Sequence, residues 1–130
     1  MLPATLSLIQ NRQLAKGDVI EVARLAGIMA TKQTSTLIPL CHTLALDAVE
    51  LDFEAIAEDR LEIRSFVQAT ARTGVEMEAL TAVLVAALTV YDMCKAADRQ
   101  MVIGPAQLEE KTGGRSGHFV RSGSASSESH

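Results

Sequence analysis

Glu76, Glu78, Asp92 and Lys95 stand near the ends of the longest apolar run of this 130-residue chain, within TGVEMEALTAVLVAALTVYDMCKAADRQMVIG from Thr73 to Gly104. Asp92, with Lys95 three residues on, is a candidate for acting on one small substrate together with Glu78. A purely structural ion pair at that spacing is the competing reading. Glu76 and Glu78 open the run, where capping the positive end of a helix competes with a part in the chemistry. Elsewhere, Leu40-Cys41-His42 follows Pro39 in an extended or turn connection. Histidine is a side chain suited to acid–base work or to contact with an anion, which makes His42 a candidate. Lys16 precedes a helix N-terminus, where exposed N–H groups favour anions, although from spacing alone it reads as a solvated lysine. Lys111-Thr112-Gly113-Gly114-Arg115-Ser116-Gly117 is a basic, Gly-rich loop able to fold over phosphates, but it does not match GxxxxGK[ST]. Zinc would need further ligands at set spacings, and Cys94, His118 and His130 do not supply them, so no metal site is expected. From residue chemistry alone these fragments describe an anion-binding oligomer.

The elements that position these groups follow from periodicity. Leu80, Leu84, Ala87, Leu88, Tyr91 and Cys94 recur at helical spacing, while Val83, Val85 and Val90 fill the other sides. A helix apolar nearly all round, here ending near Asp98, is expected to be buried inside one domain or between subunits. The fourteen steps from Glu78 to Asp92 span ~21 Å at ~1.5 Å per residue, and the two side chains project within about 40° of each other. A single copy of the helix therefore cannot bring both to one small substrate, and a second subunit must supply one of them.

Upstream, residues 2–12 read weakly as a helix. Asp18 with Glu21 resembles a capping box, and Val19, Val22, Ala23, Ala26, Met29 and Ala30 predict an amphipathic helix over residues 19–32. Gly27 inside it costs roughly 1 kcal/mol against Ala, which close packing on a neighbouring helix would explain. Thr34 or Ser35 is expected to cap one more short turn before Pro39. Val49, Leu51, Phe53 and Ala55 alternate with Glu50, Asp52 and Glu54, and after Glu58-Asp59 the alternation resumes at Leu61, Ile63, Val67 and Ala69, which predicts an antiparallel hairpin. Met101-Val102-Ile103, with Leu108, suggests a third strand that Gly104-Pro105 bends or breaks. The order helix, hairpin, helix, strand gives an α+β domain with helices packed on one face of an antiparallel sheet. Residues 1–112 are expected to form a single catalytic domain and residues 113–130 a flexible Gly/Ser-rich tail.

Composition bounds the function. With 48% hydrophobic and 22% charged residues the chain is ordinary globular protein, long enough for one core and too short for two. Aromatics at 3% without Trp, and a net charge of −4, argue against a nucleic-acid surface. The charge is uneven: residues 47–62 hold seven acids against Arg60, which leaves the remainder at +2 and open to an anionic small molecule. Cys41 and Cys94 match no disulfide or CxxC spacing, so reduced thiols in a cytoplasmic protein are expected. The first residues do not have the form of a signal peptide, and no apolar run is expected to clear the criteria for a membrane span, Ala79 to Met93 being the nearest.

Three long words carry a resemblance. KGDVIEVARLAGIMATKQTSTLIPLCHTL, TGVEMEALTAVLVAALTVYDMCKA and MVIGPAQLEEKTGGRSG resemble, in order, the cyclic pyranopterin monophosphate synthase (MoaC) family of molybdenum cofactor biosynthesis, over about residues 5–117. The resemblance implies a ferredoxin-like subunit assembled as a hexamer, a trimer of dimers with active sites shared across the dimer interface. It implies a lyase that converts 3′,8-cyclo-7,8-dihydro-GTP to cyclic pyranopterin monophosphate with release of pyrophosphate. The family's catalytic aspartate falls on Asp92 and its neighbouring lysine on Lys95. Its LCH substrate contact falls on Leu40, Cys41 and His42, and a second on Met77 and Glu78 beside Glu76. Lys16 and Lys111 match further family lysines that would neutralise phosphate. No resident cofactor is implied beyond Mg²⁺ accompanying the triphosphate. The chain departs from the pattern at Thr43, where Pro is usual, and at Arg72 and Arg115, where Lys is; Arg keeps the charge but not the geometry. The competing class is a non-catalytic oligomeric module that binds nucleotide on the same scaffold.

Overall fold

Asp18 starts the first long helix: its carboxylate accepts a hydrogen bond from Glu21 N at 3.2 Å, while the Glu21 carboxylate turns to Arg24. The computed structural model describes residues 1–114 and 117–123. In it, α1 runs Pro3–Gln10, α2 Val19–Thr31, and a single turn, α3, Thr34–Leu37. Thr34 does not cap that turn, which Gln33 precedes without a side-chain cap. The Thr34 hydroxyl is directed back to the carbonyls of Ala30 and Thr31 at 3.3 and 3.1 Å, as a buried hydroxyl requires when the preceding carbonyls lie within reach.

The alternating segments form β1, Ala48–Ala57, and β2, Arg60–Gln68, paired antiparallel with Val49 opposite Val67 and Phe53 opposite Ile63. At Leu51 the inward partner is Ser65, whose hydroxyl donates to the Ala79 carbonyl at 2.7 Å and ties the hairpin to the next helix. That helix, α4, spans Glu76–Cys94. It packs on α2 and on β2, and α2 packs on β1, so both long helices cover one face of the hairpin. The fold is α+β, and α2–β1–β2–α4 is the central run of a ferredoxin-like β-α-β-β-α-β order.

The seam between α2 and α4 is made of small residues. Ala23, Gly27, Ala82 and Ala86 are buried, and a Cβ at Gly27 would stand 2.5 Å from Leu51 Cδ2 and 3.0 Å from the Ala82 carbonyl oxygen. Close approach of two backbones explains the glycine, and no side chain fits there without displacement. The buried stripe of α2 is thus Val19, Ala23, Gly27 and Ala30; Val22 and Met29, expected on the same face, are exposed along with Leu25. On α4, Leu84 and Leu88 are exposed on the side opposite Ala82, Ala86 and Val90.

Four further expectations differ from the structure. The central helix ends at Cys94 rather than near Asp98. Asp98 is buried and instead accepts hydrogen bonds from Leu2 N at 2.8 Å, Thr5 Oγ1 at 3.1 Å and Gln100 N at 3.2 Å. It serves as the cap that α1 lacks in its own sequence, and the Leu2 N–H foremost holds its carboxyl below the usual range. Met101–Ile103 forms no strand among the described residues: Val102 is 85% exposed, and Gly104 at φ 123° turns the chain out of the extended region ahead of Pro105, which has no N–H to pair. Strand pairing occurs later, where β3, Glu110–Lys111, pairs with β4, Phe119–Val120, and β4 alone falls inside the 113–130 stretch whose composition suggested a tail. Arg115, Ser116 and residues 124–130 of that stretch lie outside the described residues. Finally, α4 is long and apolar enough to cross a membrane by length and composition, although here it is a core helix packed on α2 and β2.

Candidate active site

The charged candidates gather at the two ends of α4. At its C-terminal end, Lys95 Nζ donates to Asp92 Oδ1 at 2.8 Å. Lys16 reaches the same carboxylate from the turn ahead of α2, its Nζ 3.8 Å from Asp92 Oδ2 and 3.5 Å from the Asp92 carbonyl oxygen. The antiparallel packing of α2 on α4 places the start of one helix beside the end of the other, so Lys16 and Asp92 meet although 76 residues apart. The hydrogen bond from Lys95, then the charge of Lys16, holds the Asp92 carboxyl below its usual range. Asp92 is an open group, its side chain 61% exposed, so a ligand can approach the cluster from solvent. Cys94 beside it is buried, and that burial pushes its thiol up, the opposite of what a nucleophilic cysteine requires.

At the N-terminal end of α4 a cleft of about 180 Å³ is lined by Leu40, Cys41, His42 and Leu44 from the loop after α3, by Thr73 and Gly74, and by Glu76, Met77 and Glu78. Leu40 takes a left-handed backbone (φ 59°) and is fully exposed. A branched side chain held at positive φ costs about 1–2 kcal/mol, and such strained positions cluster at ligand sites. Glu78 is 4% exposed at the base of the first turn of α4, while His42 is open to solvent. Lys111, from β3, lies against this end with Nζ 3.4 Å from Glu76 Oε1.

The sequence candidates thus fall into two groups: Leu40, Cys41, His42, Glu76, Met77, Glu78 and Lys111 at one end, Lys16, Asp92 and Lys95 at the other. No residue of the second group lines the cleft. The cleft itself, at about 180 Å³, is smaller than the roughly 300–1,000 Å³ that ligand pockets usually occupy. A second groove, beside β1 and the end of α2, is larger at about 400 Å³ but contains none of the candidate residues. Among the described residues no group of three or more His, Cys, Asp or Glu is placed to hold a metal ion. Residue spacing alone did not reveal Thr73, Gly74 and Leu44. All three line the cleft, and uncharged side chains such as these carry no signal of chemistry until the fold places them beside groups that do.

The family model described as the MoaC family matches residues 1–114. The chain belongs to the MoaC family. Among individual relatives, the Cyclic pyranopterin monophosphate synthase of Desulfitobacterium hafniense is 59% identical over 121 residues, 93% of this chain and 74% of the relative. The protein of the same name from Magnetococcus marinus is 62% identical over 122 residues, 93% of this chain and 75% of its own length. Cyclic pyranopterin monophosphate synthase 3 of Mycobacterium tuberculosis is 60% identical over 121 residues, 93% of this chain and 68% of that protein. In this MoaC chain the matched region contains both ends of α4 and every candidate residue named above.

Proposed function

We propose that this chain is a cyclic pyranopterin monophosphate synthase, a lyase that takes 3′,8-cyclo-7,8-dihydro-GTP to cyclic pyranopterin monophosphate and pyrophosphate in molybdenum cofactor biosynthesis. Membership of the MoaC family, together with relatives of that name about 60% identical over 93% of the chain, carries the reading. The residues present suit the chemistry. A triphosphate must be neutralised while pyrophosphate leaves, and protons must move as rings open and close. Lys16, Lys95 and Lys111 supply the cations. Asp92, ionised at neutral pH by Lys95 and Lys16, is the proton acceptor. When a triphosphate draws those lysines away, the carboxylate loses the charges that depress it and becomes a stronger base, so binding itself activates it. Glu78 and Met77 face the purine-derived ring, with the carboxylate receiving its N–H donors, and His42 contacts phosphate or carries a proton.

These groups lie at opposite ends of one helix and their cleft is small, so the reading includes a second copy of the chain. Two protomers pool their half-sites, and the exposed Val22, Leu25 and Met29 of α2 with Leu84 and Leu88 of α4 are apolar surface for such a contact. A hexamer built as a trimer of dimers, located in the cytoplasm with Cys41 and Cys94 as free thiols, completes the proposal. No resident cofactor enters these steps; Mg²⁺ arrives with the triphosphate as part of the substrate.

The test is turnover. Purified protein incubated with 3′,8-cyclo-7,8-dihydro-GTP should release pyrophosphate and the pyranopterin, and Asp92→Asn should lower kcat by at least about 100-fold, as loss of a general base does, with the oligomer intact. A wild-type protein that binds the nucleotide without forming either product would instead be a non-catalytic binding module.

A further inference from the structure

Glu76 is placed by sequence among the ligand contacts, yet its carboxylate is engaged by the protein. Oε1 lies 3.4 Å from Lys111 Nζ, and Oε2 is buried without a hydrogen-bond partner among the described residues. Two glycines close around the pair. A Cβ at Gly74 would run into Glu76 Oε2 and stand 2.8 Å from Lys111 Cε. A Cβ at Gly114 would stand 3.1 Å from Gly74 N and 3.4 Å from both Lys111 Cε and Nζ. The Lys111 side chain is only 11% exposed as a result. An ammonium this enclosed behaves differently from a solvated lysine, because its stem is packed on all sides and its charge needs a counter-charge to stay there.

We infer that Glu76 is a positioning residue that acts through Lys111. It fixes that ammonium against the Gly74–Glu76 wall of the cleft lined by Cys41, His42 and Met77, and Gly74 and Gly114 are small so that the pair can close. The inference rests on the reading of this cleft as part of the triphosphate-substrate site. Removing the Glu76 charge takes away the carboxylate that faces Lys111 Nζ at 3.4 Å, so the ammonium is no longer fixed in that position and meets the phosphate less well on arrival. A lysine that neutralises phosphate equally in ground and transition states sets KM, so the loss falls on KM and leaves kcat largely intact.

A double-mutant cycle in the whole protein decides it, with cyclised GTP as substrate and pyrophosphate release as the readout. Glu76→Gln and Lys111→Gln should each raise KM by about 10- to 100-fold, the value of one charge-assisted hydrogen bond, and the double variant should be no worse than either alone. Glu76→Asp, which keeps the charge on a shorter stem, should recover part of the loss. Gly74→Ala leaves both charges but pushes them apart, so it should raise KM in the same direction; unfolding curves for each variant separate this from loss of fold, and if Gly74→Ala does not fold the cycle alone decides. Fold-losses that multiply in the double variant, or a drop in kcat at unchanged KM for Glu76→Gln, mean that Glu76 touches the substrate itself and overturn the inference while the function stands. A wild-type protein with no turnover removes the functional reading and this inference with it.

Discussion

Mixing two inactive variants should restore activity. Asp92 sits near the last turn of α4, and His42 lies against the first, in the cleft with Met77 and Glu78. From Glu78 to Asp92 the helix rises ~21 Å, which is too far for both ends to reach the reacting part of one pyranopterin precursor. Asp92→Asn and His42→Ala proteins are each expected to be nearly inactive as pure oligomers, because every shared site then lacks one of the two groups. After unfolding together in equal amounts and refolding, a site works only where Asp92 comes from the His42→Ala chain and His42 from the Asp92→Asn chain. Each condition holds for half of the chains, so roughly a quarter of the two-fold-related sites are complete and about a quarter of wild-type activity returns. Pyrophosphate release measures it, and mass spectrometry of differently tagged chains under native conditions verifies that subunits have exchanged. Verified exchange with no recovery would mean that each site is built from one chain, and the argument from the length of α4 would be wrong.

Two further outcomes follow from the geometry. Gly27→Ala gains roughly 1 kcal/mol of helix propensity, but its methyl meets Leu51 Cδ2 at 2.5 Å and the Ala82 carbonyl oxygen, which belongs to backbone, at 3.0 Å. Overpacking of this kind costs about 1–3 kcal/mol, so urea unfolding should show a net loss of about 1 kcal/mol, and a gain in stability would contradict the close α2–α4 contact. Lys95→Met removes the largest of the influences that keep the Asp92 carboxyl low. Because the native value is depressed, Asp92 stays ionised as pH falls to below the ordinary 3.8, and without Lys95 it protonates at higher pH. The acid limb of the kcat/KM profile, which reports the free enzyme, should therefore move to higher pH in the variant, and an unmoved limb would show that it belongs to another group.

Local chemistry was legible where a pattern needs only neighbours in the chain. Alternation over residues 49–55 and 61–67 specified the hairpin, and Asp18 with Glu21 specified the start of α2. The long words around Asp92, His42 and Lys111 specified the family. What stayed hidden depends on groups distant in sequence. Asp98 has no local sign that it caps α1, since its donors Leu2 and Thr5 lie more than 90 residues away. Met101–Ile103 has strand composition but pairs with no strand among the described residues, whereas Phe119–Val120 sits in Ser/Gly-rich surroundings and pairs because Glu110–Lys111 is folded back beside it. The functions of Gly74 and Gly114 lie in the space they leave for Glu76 and Lys111, and empty space leaves no mark on residue type.

The least obvious case is α4. Its sequence is apolar nearly all round and so demands burial on every side, yet in the single chain Leu84 and Leu88 face solvent. Helix α2 repeats the pattern, with Val22, Leu25 and Met29 open opposite the small-residue seam. Two packed helices that each hold an apolar stripe toward water have a periodicity that describes more contacts than one chain can make. The charged groups agree with the proposed assembly, since Asp92, Lys95 and Lys16 gather at one end of α4 and His42, Glu78 and Lys111 at the other. Burying the stripes against a second copy and completing the site with it would be a single event, so substitutions such as Leu88→Asp should weaken assembly and turnover together. The pattern in α4 is therefore best understood as a specification of the assembled enzyme.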